Sequence, residues 1–161
     1  MMSQGSQVQS LADQLERSLR GGAWHGLAVA EALADLDAVA AAARPVGGAH
    51  SIWEIVRHLT VWHDAPRRRI DGERLQNLPE ELQWPPVEDV SAAAWRAALA
   101  ALDRAHDALR ERVLALADSQ LDDPVVGSDP TVRGLLLGVL QHNAYHAGQI
   151  VVLRKALGAR P

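Results

Sequence analysis

The residues with both the chemistry and the spacing for a reactive centre are histidines, and the closest pair lies in Gln141-His-Asn-Ala-Tyr-His146. His142 and His146 are four apart, so on a helix they share a face with Cβ atoms about 5–6 Å apart, near enough to converge on one ion. Both fall on an apolar stripe with Leu135, Val139, Ile150 and Leu153. Imidazoles turned toward a core need partners: one metal ion satisfies both rings at once, whereas the alternative requires a separate hydrogen-bond partner for each. A third histidine, His58, sits on a stripe with Ile55, Leu59 and Trp62. Alone it reads as a core histidine with a hydrogen bond, but as a third ligand it completes a site built in a bundle core. Three neutral donors leave coordination positions open, which separates catalytic metal sites from closed structural ones.

The neighbouring residues narrow the chemistry. His-x-x-x-His is the spacing of a zinc protease, yet Asn143 stands where that motif requires Glu, and an amide cannot act as a general base. Gln149 follows His146 by three residues and is expected near the same face, either holding a water or substrate or making an ordinary helix hydrogen bond. Trp62, one turn beyond His58, reads as a pocket wall or as core packing. Gly148 inside a helix costs about 1 kcal/mol relative to Ala, and close helix approach is one reason to tolerate it. Of the other histidines, His106 reads as buried and hydrogen-bonded, His63 beside Asp64 as exposed because it faces away from His58, and His25 and His50 as helix-end residues. Arg67, Arg68, Arg69 and Arg74 read as a solvated face, with reception of an anionic ligand as the alternative. No residue is assigned as catalytic, since no phosphate loop, carboxylate pair or serine nucleophile motif stands out.

Four helical stretches must position these residues, each with apolar side chains at three- and four-residue spacing. The first runs from about Val8 through Leu19 and breaks at Gly21-Gly22, with a helical continuation over Trp24–Leu33 and a short helix or loop over Asp35–Pro45. The second starts at Ser51-Ile-Trp-Glu54, a capping box, and Pro66 predicts a kink or break in it. The third follows Ser91 as N-cap and spans roughly 25 residues through Trp95, Leu99, Leu102, His106, Leu109, Val113 and Leu116. The fourth is expected to begin at Asp129-Pro130, with Asp as cap and Pro at the first helical position, and to stop at Gly158. Residues 77–89 and 117–128 read as ordered connections.

Composition bounds the rest. The 161 residues, 48% hydrophobic, suit one domain over 1–161 with a single core. Phe is absent and five Trp supply the aromatic surface. With no cysteine there is no disulfide, cysteine metal site or cysteine nucleophile, so thiol chemistry would need an external thiol. A net charge of -4 argues against nucleic acid as a partner. A polar N-terminus and no long apolar run predict a cytoplasmic protein without a membrane span. The expected fold class is all-α, a four-helix bundle with crossover connections.

The segment His50-Ser-Ile-Trp-Glu-Ile-Val-Arg-His58-Leu, then Trp62, and Gln141-His-Asn-Ala-Tyr-His-Ala-Gly-Gln-Ile150 followed by Leu153-Arg154 resemble the DinB/YfiT-like superfamily of bacterial four-helix proteins. The resemblance covers most of the chain. It implies a DinB-like fold in which one histidine of the second helix and a His-x-x-x-His pair of the fourth bind a divalent metal, here His58, His142 and His146. It also implies frequent homodimers and activities ranging from transferases or isomerases using small bacterial thiols to hydrolases. The expected cofactor is a divalent ion, zinc first, with nickel or iron also compatible with three imidazoles. Two functions remain open: an enzyme whose ion activates water or an external low-molecular-weight thiol for a small-molecule substrate, or a stress-response bundle whose metal only staples two helices.

Overall fold

Helix-forming Ala and Leu and well-placed caps give a computed structural model whose described residues, 6–127 and 130–158, contain seven α-helices and no strand. Four are long: α1 (Gln7–Arg20), α4 (Ile52–Ile70), α6 (Ala92–Leu114) and α7 (Val132–Ala156). Three are short: α2 (Val29–Leu33), α3 (Ala38–Ala42) and α5 (Glu80–Gln83), and a 3₁₀ turn covers Asp118–Asp122. None is long and apolar enough to cross a membrane.

The expected caps of α4 and α6 form. Ser51 Oγ accepts from the Glu54 amide at 3.2 Å while the Glu54 carboxylate accepts from the Ser51 amide at 2.7 Å. Ser91 Oγ accepts from the Ala94 amide at 3.1 Å. Helix α1 is capped from afar: Asp118 accepts from the Gln7 and Val8 amides and from Ser6 Oγ. These contacts, led by Ser6, hold the Asp118 carboxyl below its ordinary pKa. At the other end of the molecule the buried Arg154 donates to the carbonyls of Ala32 and Ala34, both at 2.8 Å, and ties α7 to the end of α2.

Three expectations are corrected, the first being the helical continuation over Trp24–Leu33, of which only Val29–Leu33 is helical. Of the kink or break expected at Pro66, the break does not occur: helix α4 continues through it to Ile70. Proline removes one backbone bond and crowds the preceding turn, yet Ala65 and Pro66 are both buried and the helical turns continue past them. Helix α7 starts at Val132, with Thr131 as its cap, not at Pro130. Residues ahead of it are pinned in an extended pairing, with Val125 N–H donating to the Pro130 carbonyl and Val132 N–H to that of Asp123, so they cannot wind into the helix. Asp129, expected as the cap, lies outside the described residues. The stop at Gly158 holds, with φ +77 just past the helix end.

Helix α4 packs on both α6 and α7, and α1 packs on the same two helices. The apolar core falls into two clusters. One contains Leu19, Ile52, Trp53, Leu59, Trp95, Leu102 and Ile150, the other Val8, Leu15, Leu109, Val113, Leu136 and Val139. Between them along the long helices lie buried polar side chains, Ser18 of α1, His63 of α4, His106 of α6 and Asn143 of α7. A buried polar group is tolerated only if its hydrogen bonds are met, so this layer has a cost that an apolar one would not.

Candidate metal centre

Helix α4, fixed at its start by the capping box, carries His58 inward, and α7 presents His142 and His146 one turn apart. Their Nε2 atoms converge. His142 Nε2 lies 3.1 Å from His58 Nε2 and 2.9 Å from His146 Nε2, and all three ligand atoms lie within 4.8 Å of one another. His58 and His146 are 5% and 3% exposed, so two of the rings have little access to solvent protons or water.

Hydrogen bonds on the far side of the rings decide which nitrogens hold lone pairs. His58 Nδ1 lies 2.8 Å from the Gln83 carbonyl, which can only accept, so Nδ1 bears the proton and Nε2 is bare. His146 Nδ1 likewise donates to Gln149 Oε1 at 2.7 Å. Three neutral rings therefore direct three nitrogens at one point with at most one proton, on His142, to share among them. A divalent cation satisfies all three lone pairs together, and the outer acceptors are those that orient metal-bound imidazoles. Two nitrogens at 2.0–2.1 Å from a zinc ion in tetrahedral geometry are about 3.3 Å apart, a few tenths of an ångström from the spacing found here.

Electrostatics favours the same state. Burial is the main force that lowers the pKa values of all three rings, taking His142 to about 3 and His146 to about 4. Neighbouring imidazoles push His142 down further, while the Gln149 contact partly opposes the drop at His146 and the Gln83 carbonyl that at His58. All three rings are then neutral, the form that ligates metal.

Two depressions flank the triad. A cleft of about 340 Å³ is lined by His58, Trp62, Pro66, Gln83, Val139 and His142 among others, so a small molecule in it touches two of the three imidazoles. A second groove, of about 620 Å³, is lined by none of the three imidazoles but includes His50, Ile55, Tyr145, Gln149 and Val152. Gly148 also lines this groove, and a Cβ there would meet nothing, so no packing within the chain explains the glycine. Trp84, which caps the end of α5, is stacked between two imidazoles, with ring centroids 3.7 Å from both His50 and His58. The α4–α6 connection thus grips His58 twice, through the Gln83 carbonyl and the Trp84 ring. Trp84→Ala is expected to weaken metal binding about 10- to 100-fold, the usual effect of losing an outer orienting group. Competition with a chromophoric chelator measures this; an unchanged affinity would show that the stack does not orient His58.

Sequence reasoning placed the triad, Trp62 and Gln149 together, and they are together. Gln149 accepts from the His146 ring and also lines the groove. His106 is buried and hydrogen-bonded to Glu16 as expected. Arg67 and Arg68 pair with Asp64, Asp71 and Glu73 at the surface. His63 is the correction: expected to be exposed, it is 0% exposed. A five-residue offset turns it about 140° from His58, but α4 is covered on both sides, so facing away from the triad means facing a second part of the core. Burial lowers its pKa to about 4. The grip of Gln83 and Trp84 on His58 was missed: a backbone carbonyl leaves no sequence signal, and the loop containing Trp84 was expected to border the pocket but not to stack on a histidine.

A family model, that of the DinB superfamily, matches residues 23–150. No curated protein and no solved structure matches the chain. Histidines from α4 and α7 that meet at one point, in an all-helical chain matched over most of its length, agree with that finding: the chain belongs to the DinB superfamily.

Proposed function

We propose that this protein is a metal-dependent enzyme acting on a small molecule, with its ion held by His58, His142 and His146. The observation that carries the reading is the convergence of three Nε2 atoms, two of them bare because Gln83 and Gln149 accept the Nδ1 protons, beside a cleft that reaches His58 and His142. A divalent ion in this place supplies Lewis acidity, lowering the pKa of a coordinated water or external thiol into the neutral range. The chain's own residues do the rest. Gln83 and Trp84 orient His58, Gln149 orients His146, and Trp62 walls the cleft. With no cysteine and no carboxylate in the triad, activation falls to the ion, and an external low-molecular-weight thiol is the nucleophile for a transferase, water for a hydrolase. Zinc is the first choice of metal, with nickel and iron compatible with the same donors.

The test is a titration of the cobalt-substituted protein with small thiols, alongside a turnover assay of the native form. Thiol addition is expected to shift the visible spectrum and release a proton, and both responses should vanish in His58→Ala. A spectrum indifferent to every thiol would leave only the hydrolase version.

The reading extends to a bundle of four long helices forming a single domain, working in the cytoplasm as a homodimer and without nucleic acid. The net charge of -4 supports the last point. The exposed Leu137, Tyr145 and Val152 on α7 support the dimer, since pairing would cover them. Light scattering should give twice the mass of the chain at micromolar concentration; a monomer up to millimolar concentration would refute the dimer.

A further inference from the structure

The polar layer between the two apolar clusters lies beside the triad on the same two helices, α4 and α7. On α4, His63 points about 140° from His58, and on α7 Asn143 is about 100° from His142 and about 60° from His146. The two helices thus meet through polar groups twice, once at the triad and once where Asn143 Nδ2 lies 3.5 Å from His63 Nε2. That second contact is at the long end for a hydrogen bond, but its direction is fixed. His63 Nδ1 donates to the Leu59 carbonyl at 2.7 Å, leaving Nε2 as the acceptor. The same Asn143 amide donates to Ser18 Oγ of α1 at 2.9 Å, and Ser18 in turn donates to the Leu15 carbonyl. Every donor in this chain has an acceptor, and no swap of the Asn143 oxygen and nitrogen would preserve it.

The layer is expensive. Asn143 and His63 are both 0% exposed, and Asn143 Oδ1 has no partner among the described residues. Leucine in place of Asn143 would avoid the desolvation of an amide, and buried polar groups are best understood where they set a register that apolar packing leaves loose. Around this layer α7 packs through apolar side chains such as Ala147, Leu136 and Val139, whose non-directional contacts do not by themselves specify one rotation of the helix. A few degrees of such rotation would move His142 and His146 together, away from His58.

We propose that Asn143, held by Ser18 and His63, is a positioning residue that fixes the rotation of α7 and so aims His142 and His146 at His58. The proposal rests on the metal-binding reading of the triad. It assigns to the second residue of the His-Asn-x-x-His segment a role in aiming its neighbours without touching the ion.

The test uses full-length, tag-free protein and cobalt(II) as the probe. Asn143→Leu and His63→Leu are compared with Leu11→Ala, which removes a buried α1 side chain two turns before Ser18 and loosens the fold. Both layer variants are expected to bind cobalt on the order of tenfold more weakly, the lower end of outer-shell effects, with altered position and intensity of the visible bands. His63→Gln, which keeps an acceptor for the Asn143 amide, should recover most of the wild-type spectrum. Leu11→Ala should bind with wild-type affinity and spectrum despite its lower Tm. If the layer variants lose stability but keep wild-type affinity and bands, or if Leu11→Ala weakens cobalt binding as much as they do, the positioning role is refuted and the layer is structural only. Failure of the wild type itself to bind cobalt would instead refute the triad reading.

Discussion

His142→Ala is expected to weaken binding of a divalent ion by at least about a hundredfold, beyond the 10- to 100-fold lost when an outer-shell partner is removed. His142 is the hinge of the triad, since its Nε2 stands 2.9 and 3.1 Å from the other two. Without it, His58 and His146 keep bare nitrogens with no third donor. His58→Ala and His146→Ala should have effects of the same order, and the double variant His58→Ala/His142→Ala little more than either single one, because the three act as a unit. His50→Ala, which removes the outer ring of the stack while leaving Trp84 on His58, should have a smaller effect. Equilibrium competition against a chelator gives these affinities. Stoichiometric metal at unchanged affinity in His142→Ala would defeat the assignment.

The second large effect is acid destabilisation of the metal-free protein. His63, His142 and His146 are held at about 4, 3 and 4 against an ordinary value of 6.5, chiefly by burial, and His58 and His106 are lowered by the same cause. A histidine that stays neutral in the folded state but charges when unfolded favours unfolding as protons become available. Its contribution to stability is therefore fully present above pH 6.5 and is lost as pH falls from there toward the folded value. For the fully buried His63 alone, a drop from 6.5 to about 4 corresponds to about 3 kcal/mol. Urea unfolding of the metal-free protein should show stability falling steeply between pH 6.5 and 4, and His63→Leu should flatten part of that fall. A midpoint constant from pH 7 to 4.5 would contradict the burial of neutral imidazoles.

How much of this could be read from the residues depended on whether the signal was local. The four-residue step from His142 to His146, the Ser51/Glu54 box, the Ser91 cap and the Gly158 stop all act within a turn or two, and all formed. His63 was misread because periodicity tells which residues share a face, not how many faces of a helix are covered. Since α4 lies against α6 and α7 together, two of its faces are interior. The break expected at Pro66 is absent for a related reason, since Pro66 is buried within a helix that packs on two neighbours, which offsets its local penalty. The start of α7 depended on a pairing with residues 123–125, a contact between segments that no local pattern announces. The partners that orient the triad divide the same way. Gln149, three residues from His146, was legible, while the Gln83 carbonyl, twenty-five residues from His58, was not.

The most direct test of the triad as an open metal centre is X-ray absorption spectroscopy of the tag-free protein loaded with one equivalent of zinc. The expected result is three imidazole nitrogens at about 2.0–2.1 Å, together with at least one light-atom ligand that exchanges when a small thiol is added and is replaced by sulfur at about 2.3 Å. A shell with fewer than three imidazoles would contradict the assignment of His58, His142 and His146, and one closed by a fourth protein side chain that no thiol displaces would contradict the enzyme.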